Sequence, residues 1–140
     1  MLKLAIALIL LVSVTSVAFG FRYLLAREYM PYHAQVSQSS WVELPKRLQA
    51  VILGMLKVVA AGLFAFGIAL GWLTLPLSRG ESWATWATWA ILSVVLVNGF
   101  ITVYVTVTLR RIEPTAKTPV AAVATSVVLV LVALLLTNLA

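Results

Sequence analysis

Few residues in this chain can do chemistry, and they fall into two groups. The first lies in residues 21–49, FRYLLAREYMPYHAQVSQSSWVELPKRLQ, which hold the single histidine, two of the four acidic residues and four of the ten basic ones. Within this stretch Arg27, Glu28, Tyr32, His33 and Trp41 supply charges, hydrogen-bond donors and acceptors, and aromatic faces. That is the composition with which a protein holds a lipid or quinone headgroup beside apolar helix ends. The second group lies inside apolar sequence: Lys57, Asn98 and Thr102. An ionisable residue within a membrane span is a functional candidate by default. If a return span places Asn98 at a depth similar to that of Lys57, a Lys–Asn–Thr line forms a polar crevice suited to a small transporter or channel.

Each candidate also has an ordinary explanation. Belts at membrane interfaces are rich in tyrosine, tryptophan and basic residues whatever they bind. Lys57 would lie about 10 Å below an interface near Ala50, and its stem, tilted towards the helix N-terminus, can snorkel much of that way. Asn98 serves equally well as interhelical glue. All four glutamates fall in loops or at span ends, so a proton-coupled path lacks an intramembrane carboxylate.

One histidine supplies neither two axial haem ligands nor a zinc site, which usually needs three protein ligands. Glu28, His33 and Glu43 are not spaced to demand a metal. No metal and no cofactor are therefore expected, and a quinone- or haem-linked redox subunit using His33 is the third reading. The absence of cysteine excludes disulfides, thiolate nucleophiles and iron–sulfur clusters. No Walker loop, G-x-S-x-G or H-E-x-x-H is present, so no catalytic residue is expected and a non-enzymatic role is favoured.

The elements that position these residues follow from composition. The chain has 140 residues, 63% hydrophobic and 10% charged, with a mean hydropathy of +1.08. Soluble domains carry about 25% charged residues, so lipid must be the main solvent here. Spans of roughly 20 apolar residues cross the hydrocarbon. The expectation is an all-α, integral membrane four-transmembrane-helix bundle, a single domain with spans near residues 4–21, 48–75, 83–109 and 119–136. Residues 22–47 form an interfacial segment.

The first span also resembles a signal peptide, with Ser16-Val17-Ala18 as a cleavage site. It is read as retained, because cleavage would export the basic stretch that follows. Pro31 biases Met30 away from helix, which predicts an end to the first helix near Glu28 or Tyr29. Gln35 to Ser40 reads as loop. Ser40 and Glu43 have capping-box spacing, and Pro45 suits an early helical position, so a helix restarts near Trp41 to Pro45.

In the second span Gly67 and Gly71 form a GxxxG, which lets backbones approach closely; contact within the chain is favoured over dimerisation. Residues 75–80 read as a tight turn, with Ser82 or Gly80 capping the next helix. Trp83, Trp86 and Trp89 form a slanting ridge, better suited to anchoring at an interface than to a ligand wall.

Four spans put the first and third loops on one side, with Arg22, Arg27, Lys46, Arg47, Arg110, Arg111 and Lys117, against Lys3 and Arg79 on the other. Seven against two is a positive-inside signal. It predicts a multi-pass inner (plasma) membrane protein with both termini outside the cytoplasm. The net charge of +6 serves topology and anionic lipid, and no nucleic acid partner is expected.

The segments Met30 to His33, Trp41 to Leu44 and Arg79 to Ala84 resemble those of a group of small, uncharacterised four-helix bacterial inner-membrane proteins. The likeness runs from about Tyr29 to Arg111, and in architecture alone the chain is similar to DoxX-like proteins. The resemblance implies topology rather than activity. The expected function is binding of membrane lipids, a membrane-protein partner or a second copy (a homodimer), as an accessory subunit of a larger complex. A transporter or channel using Lys57, Asn98 and Thr102 is the alternative.

Overall fold

The computed structural model describes residues 1–138. It contains α1 (Leu2–Leu24), α2 (Pro31–Ser37), a 3-10 turn at Trp41–Glu43, α3 (Lys46–Arg79), α4 (Ala84–Ile112) and α5 (Val120–Asn138), with no strand among the described residues. The fold is all-α, as expected. α1, α3, α4 and α5 are each long and apolar enough to cross a membrane, the signature of a multi-pass protein.

The four long helices close into a ring. α1 lies between α3 and α5, and α4 contacts α5 and α3. On α3 the buried positions Leu56, Ala60, Gly67, Leu70, Thr74 and Leu77 recur in steps of three, four and seven, which places them on one face. Leu70 and Leu77 of that face meet Ile9 and Val12 of α1, Ile91 and Val95 of α4, and Val130 and Ala133 of α5 in the half of the bundle away from residues 21–49. Large apolar residues such as Val14, Ile68, Phe100 and Leu135 stay uncovered on the outside, the side a lipid solvent accepts. Trp72, Trp83, Trp86 and Trp89 are all exposed near the α3–α4 turn, as interfacial anchors are.

The GxxxG is used within the chain. Ser13 Oγ donates to the Gly67 carbonyl at 2.6 Å, and a Cβ on Gly67 would lie 2.7 Å from Val17 Cγ2 and 2.8 Å from the Ser13 carbonyl oxygen. Lipid gives helices no hydrophobic reason to associate, so such close backbone contact carries the attraction.

Several boundaries differ from expectation. α1 ends at Leu24, before Glu28, and Pro31 opens α2 instead of ending α1. Its fixed φ suits the first helical turn. Gln35, Val36 and Ser37 are helical, so the loop shrinks to Gln38–Ser40, where Gln38 takes the left-handed φ of 51° that turns the chain. The expected turn at Pro76 is absent. α3 runs through it to Arg79 with the ring buried, and the helix stops where Gly80 adopts φ 64° and the Gly80 and Glu81 amides donate to the Pro76 carbonyl. Helices in lipid tolerate a proline whose freed backbone groups and ring are accommodated by neighbours. Trp83, not Ser82 or Gly80, occupies the cap position of α4.

The capping box is formed. The Ser40 amide donates to Glu43 Oε2 at 2.9 Å and the Ser40 side chain accepts in return. It closes the 3-10 turn, whereas α3 begins only at Lys46. The Ser40 amide, then its hydroxyl, hold the Glu43 carboxyl below its ordinary value. A depressed carboxylate contributes stability above its unfolded pKa and loses it as pH falls through its folded pKa. The turn is therefore expected to loosen only in acid. An NMR titration following the Ser40 amide should show a midpoint below that of a free glutamate, and Glu43→Ala should remove the transition.

Candidate functional site

At one end of the bundle α1 and α4 finish and α3 and α5 begin. Two loops meet there. The Lys117 amide donates to Gln35 Oε1 at 3.0 Å, and the Gln38 side chain reaches Glu113. Arg110 Nε donates to Thr118 Oγ1 at 2.9 Å, with Ala116 and Thr118 buried. α2 is thereby tied to the α4–α5 loop, which requires the first and third loops to share a side.

The segment before α2 is fastened from below. Tyr29 and Met30 are each only 7% exposed, covered by the protein itself. The Tyr29 hydroxyl donates to the Ser39 carbonyl, and its ring meets Trp41 edge to face at 5.1 Å. Gln49 Nε2 donates to the Trp41 and Leu44 carbonyls at 2.8 and 3.0 Å, joining this corner to α3.

Beside this anchor lies a cleft of about 110 Å³ between the end of α1, α2 and the start of α5. Its rim is polar: Arg22, Tyr23, Tyr32 and Lys117. Its floor is apolar: Phe19, Met30 and Pro119. The Tyr23 and Tyr32 hydroxyls are 2.9 Å apart. Burial, then the Tyr23 hydroxyl, push the Tyr32 pKa well above the tyrosine range, outweighing the opposing Arg22 charge. Tyr32 therefore keeps its proton at any physiological pH. One bond joins the two hydroxyls, so one O–H remains for a third acceptor.

Of the five expected headgroup residues only Tyr32 lines this cleft. His33 rests on the Tyr32 ring at 4.1 Å and edge-on to Tyr29 at 6.4 Å. Half-burial lowers its pKa and so favours the neutral imidazole. No group of three or more His, Cys, Asp or Glu residues suited to a metal occurs among the described residues. Trp41 supports Tyr29. Arg27 and Glu28 are exposed between α1 and α2 and make no hydrogen bond or ion pair among the described residues. Arg22, Tyr23 and Lys117 take the places expected for Arg27, Glu28 and His33. The ending of α1 at Leu24 frees the chain to fold back and set Tyr32 against Tyr23, nine residues earlier.

Asn98 and Thr102 are brought together, but Lys57 bonds neither of them among the described residues. Lys57 precedes the last residue of α3 by 22 positions (79 − 57), and Asn98 follows the first of α4 by 14 (98 − 84). At 1.5 Å per residue they stand about 33 and 21 Å from the connecting turn, so they differ in level by about 12 Å. The passage of α3 through Pro76 creates much of this offset. Thr102 Oγ1 donates to the Asn98 carbonyl at 2.8 Å and reaches its Oδ1 at 3.4 Å, and Thr106 Oγ1 bonds Thr102 likewise, all within α4.

Lys57 is exposed with no hydrogen bond or ion pair among the described residues. Ser13 meets Gly67, and Phe21 meets Phe64 at 4.9 Å between ring centres, so by antiparallel register Lys57 stands near the level where α1 ends. A lysine at that level is within snorkelling reach of an interface placed at the end of α1. Lys57→Met is therefore expected to leave folding unchanged and to alter no solute flux across proteoliposomes; a flux that disappears in the variant would restore the crevice.

No protein-family model, no curated protein and no solved structure matches this chain.

Proposed function

We propose that this chain is a non-enzymatic protein of the bacterial inner membrane that works by binding, with its polar end in the cytoplasm and both ends of the 140-residue sequence outside it. Its polar end recognises anionic lipid or the acidic face of a membrane-protein partner, in the manner of an accessory subunit. The observation that carries this reading is unspent positive charge. Arg22, Arg27, Lys46, Arg47, Arg110, Arg111 and Lys117 gather at this end, and none joins a salt bridge among the described residues. The single ion pair among those residues, Arg79 with Glu81 at 3.8 Å, is at the other end.

Glu28, Glu43 and Glu113 share this end and offset three of the seven charges, which leaves a net of +4 (7 − 3). Glu43 is committed to Ser40 and Glu113 to Thr115. Basic residues beside an anionic leaflet each contribute about 1 kcal/mol of attraction, within a Debye length. Isolation in neutral detergent at low salt is expected to bring along anionic phospholipid or an acidic partner, which high salt removes. A monomer that emerges from low salt with neither would sink the proposal.

A further inference from the structure

We infer that the cleft between α1, α2 and α5 is a binding site for the phosphoryl group of an anionic lipid headgroup, held by Arg22 and Lys117 with a tyrosine hydroxyl. The inference rests on the proposed binding role and names its ligand and its place.

Three features converge. First, two cations and two hydroxyls line the rim and no carboxylate does, so an anion suits the cleft and a cation does not. A guanidinium offers paired donors that match phosphate oxygens, and a lysine adds a point charge. Second, Tyr32 retains its proton and the tyrosine pair has one O–H left over, so the rim supplies a neutral donor without adding negative charge. Third, the cleft sits where α1 ends and α5 begins, with Phe19, Met30 and Pro119 beneath. An amphiphile's phosphate can rest on the rim while its chains run down the apolar flank. The volume of about 110 Å³ accommodates several waters or one compact headgroup. It is well below the roughly 300 Å³ at which pockets for larger ligands begin. A zwitterionic headgroup would bring its own cation to a rim that has no carboxylate to receive it.

The test uses the intact protein in neutral detergent, titrated with phosphatidylglycerol or phosphatidylcholine and read by native mass spectrometry. Phosphatidylglycerol should bind in preference. Arg22→Gln with Lys117→Gln should weaken it by about tenfold or more, a loss typical of two charge-assisted contacts. Arg27→Gln with Arg111→Gln removes the same charge outside the cleft and should change binding by about twofold or less. Tyr32→Phe, which leaves the ring in place, should weaken binding to a smaller degree, with helicity by circular dichroism unchanged.

If the two double variants weaken binding equally, the cleft assignment falls while the broader cationic face stands. If the unaltered protein shows no preference for phosphatidylglycerol, the lipid site falls and the cationic face is left to an acidic protein partner. Inorganic phosphate that displaces the lipid would support recognition through the phosphoryl group. Phosphate that binds where phosphatidylglycerol does not would overturn the lipid assignment.

Discussion

Gly67→Leu is expected to separate α1 from α3 and to cost about 3 kcal/mol or more, the upper range for overpacking a filled interface. The new Cβ alone would stand 2.7 Å from Val17 Cγ2 and 2.8 Å from the Ser13 carbonyl oxygen. The second of these is backbone and cannot swing aside. Moving it would also break the 2.6 Å bond from Ser13 to Gly67, the one side-chain hydrogen bond joining two long helices among the described residues. Gly54→Leu and Gly62→Leu are the matched controls, since nothing lies within 4 Å of a Cβ built at either position. Thermal unfolding in detergent should show a large loss for position 67 and little change for 54 and 62. Equal losses at all three would mean that glycine content in α3, and not this contact, sets stability.

Tyr29→Ala is expected to release the polar segment while leaving the four long helices folded. Tyr29 is buried to 7% exposure, its ring meets Trp41 at 5.1 Å, and its hydroxyl holds the Ser39 carbonyl. Removing a buried aromatic ring costs about 3–5 kcal/mol, a hundredfold or greater rise in the locally open population. The basic residues flanking this segment, Arg27, Lys46 and Arg47, make trypsin a direct probe of opening. Cleavage there should accelerate strongly in Tyr29→Ala and only about tenfold or less in Tyr29→Phe, which keeps the ring and loses one hydrogen bond. Unfolding of the bundle itself should not shift. A fall in bundle stability would show instead that this corner and the spans fold as one unit.

How much of this was legible in the sequence depended on the range of the interaction concerned. Span number and type followed from apolar length, since lipid leaves a backbone little choice but helix. The capping box at Ser40 and Glu43 was legible because it is local, three residues wide. The GxxxG suggested close approach, yet its partner residues, Ser13 and Val17, lie more than forty positions away and carry no signature.

The ends of helices misled most. From sequence a proline reads as a stop at both Pro31 and Pro76, but it starts one helix and rides inside another. The first error hid the Tyr23–Tyr32 pair, because a longer α1 would have carried the chain away from Tyr23. The second set Lys57 opposite Asn98, when about 12 Å of helix rise separates their levels. Lys117 was legible only as one of seven topological charges. Its place beside Arg22 comes from the docking of α2 on the α4–α5 loop through Gln35, a contact between residues 82 positions apart.

Everything proposed for the polar end depends on its facing the anionic, cytoplasmic leaflet. The chain contains no cysteine, so single cysteines report position without background. Ser37 ends α2 and Ser82 lies in the α3–α4 turn, and both are exposed. With a membrane-impermeant maleimide on intact cells, Ser82→Cys should label at once and Ser37→Cys only after the membrane is opened. Labelling of Ser37→Cys in intact cells, with Ser82→Cys protected, would place the cationic end outside and contradict the proposal.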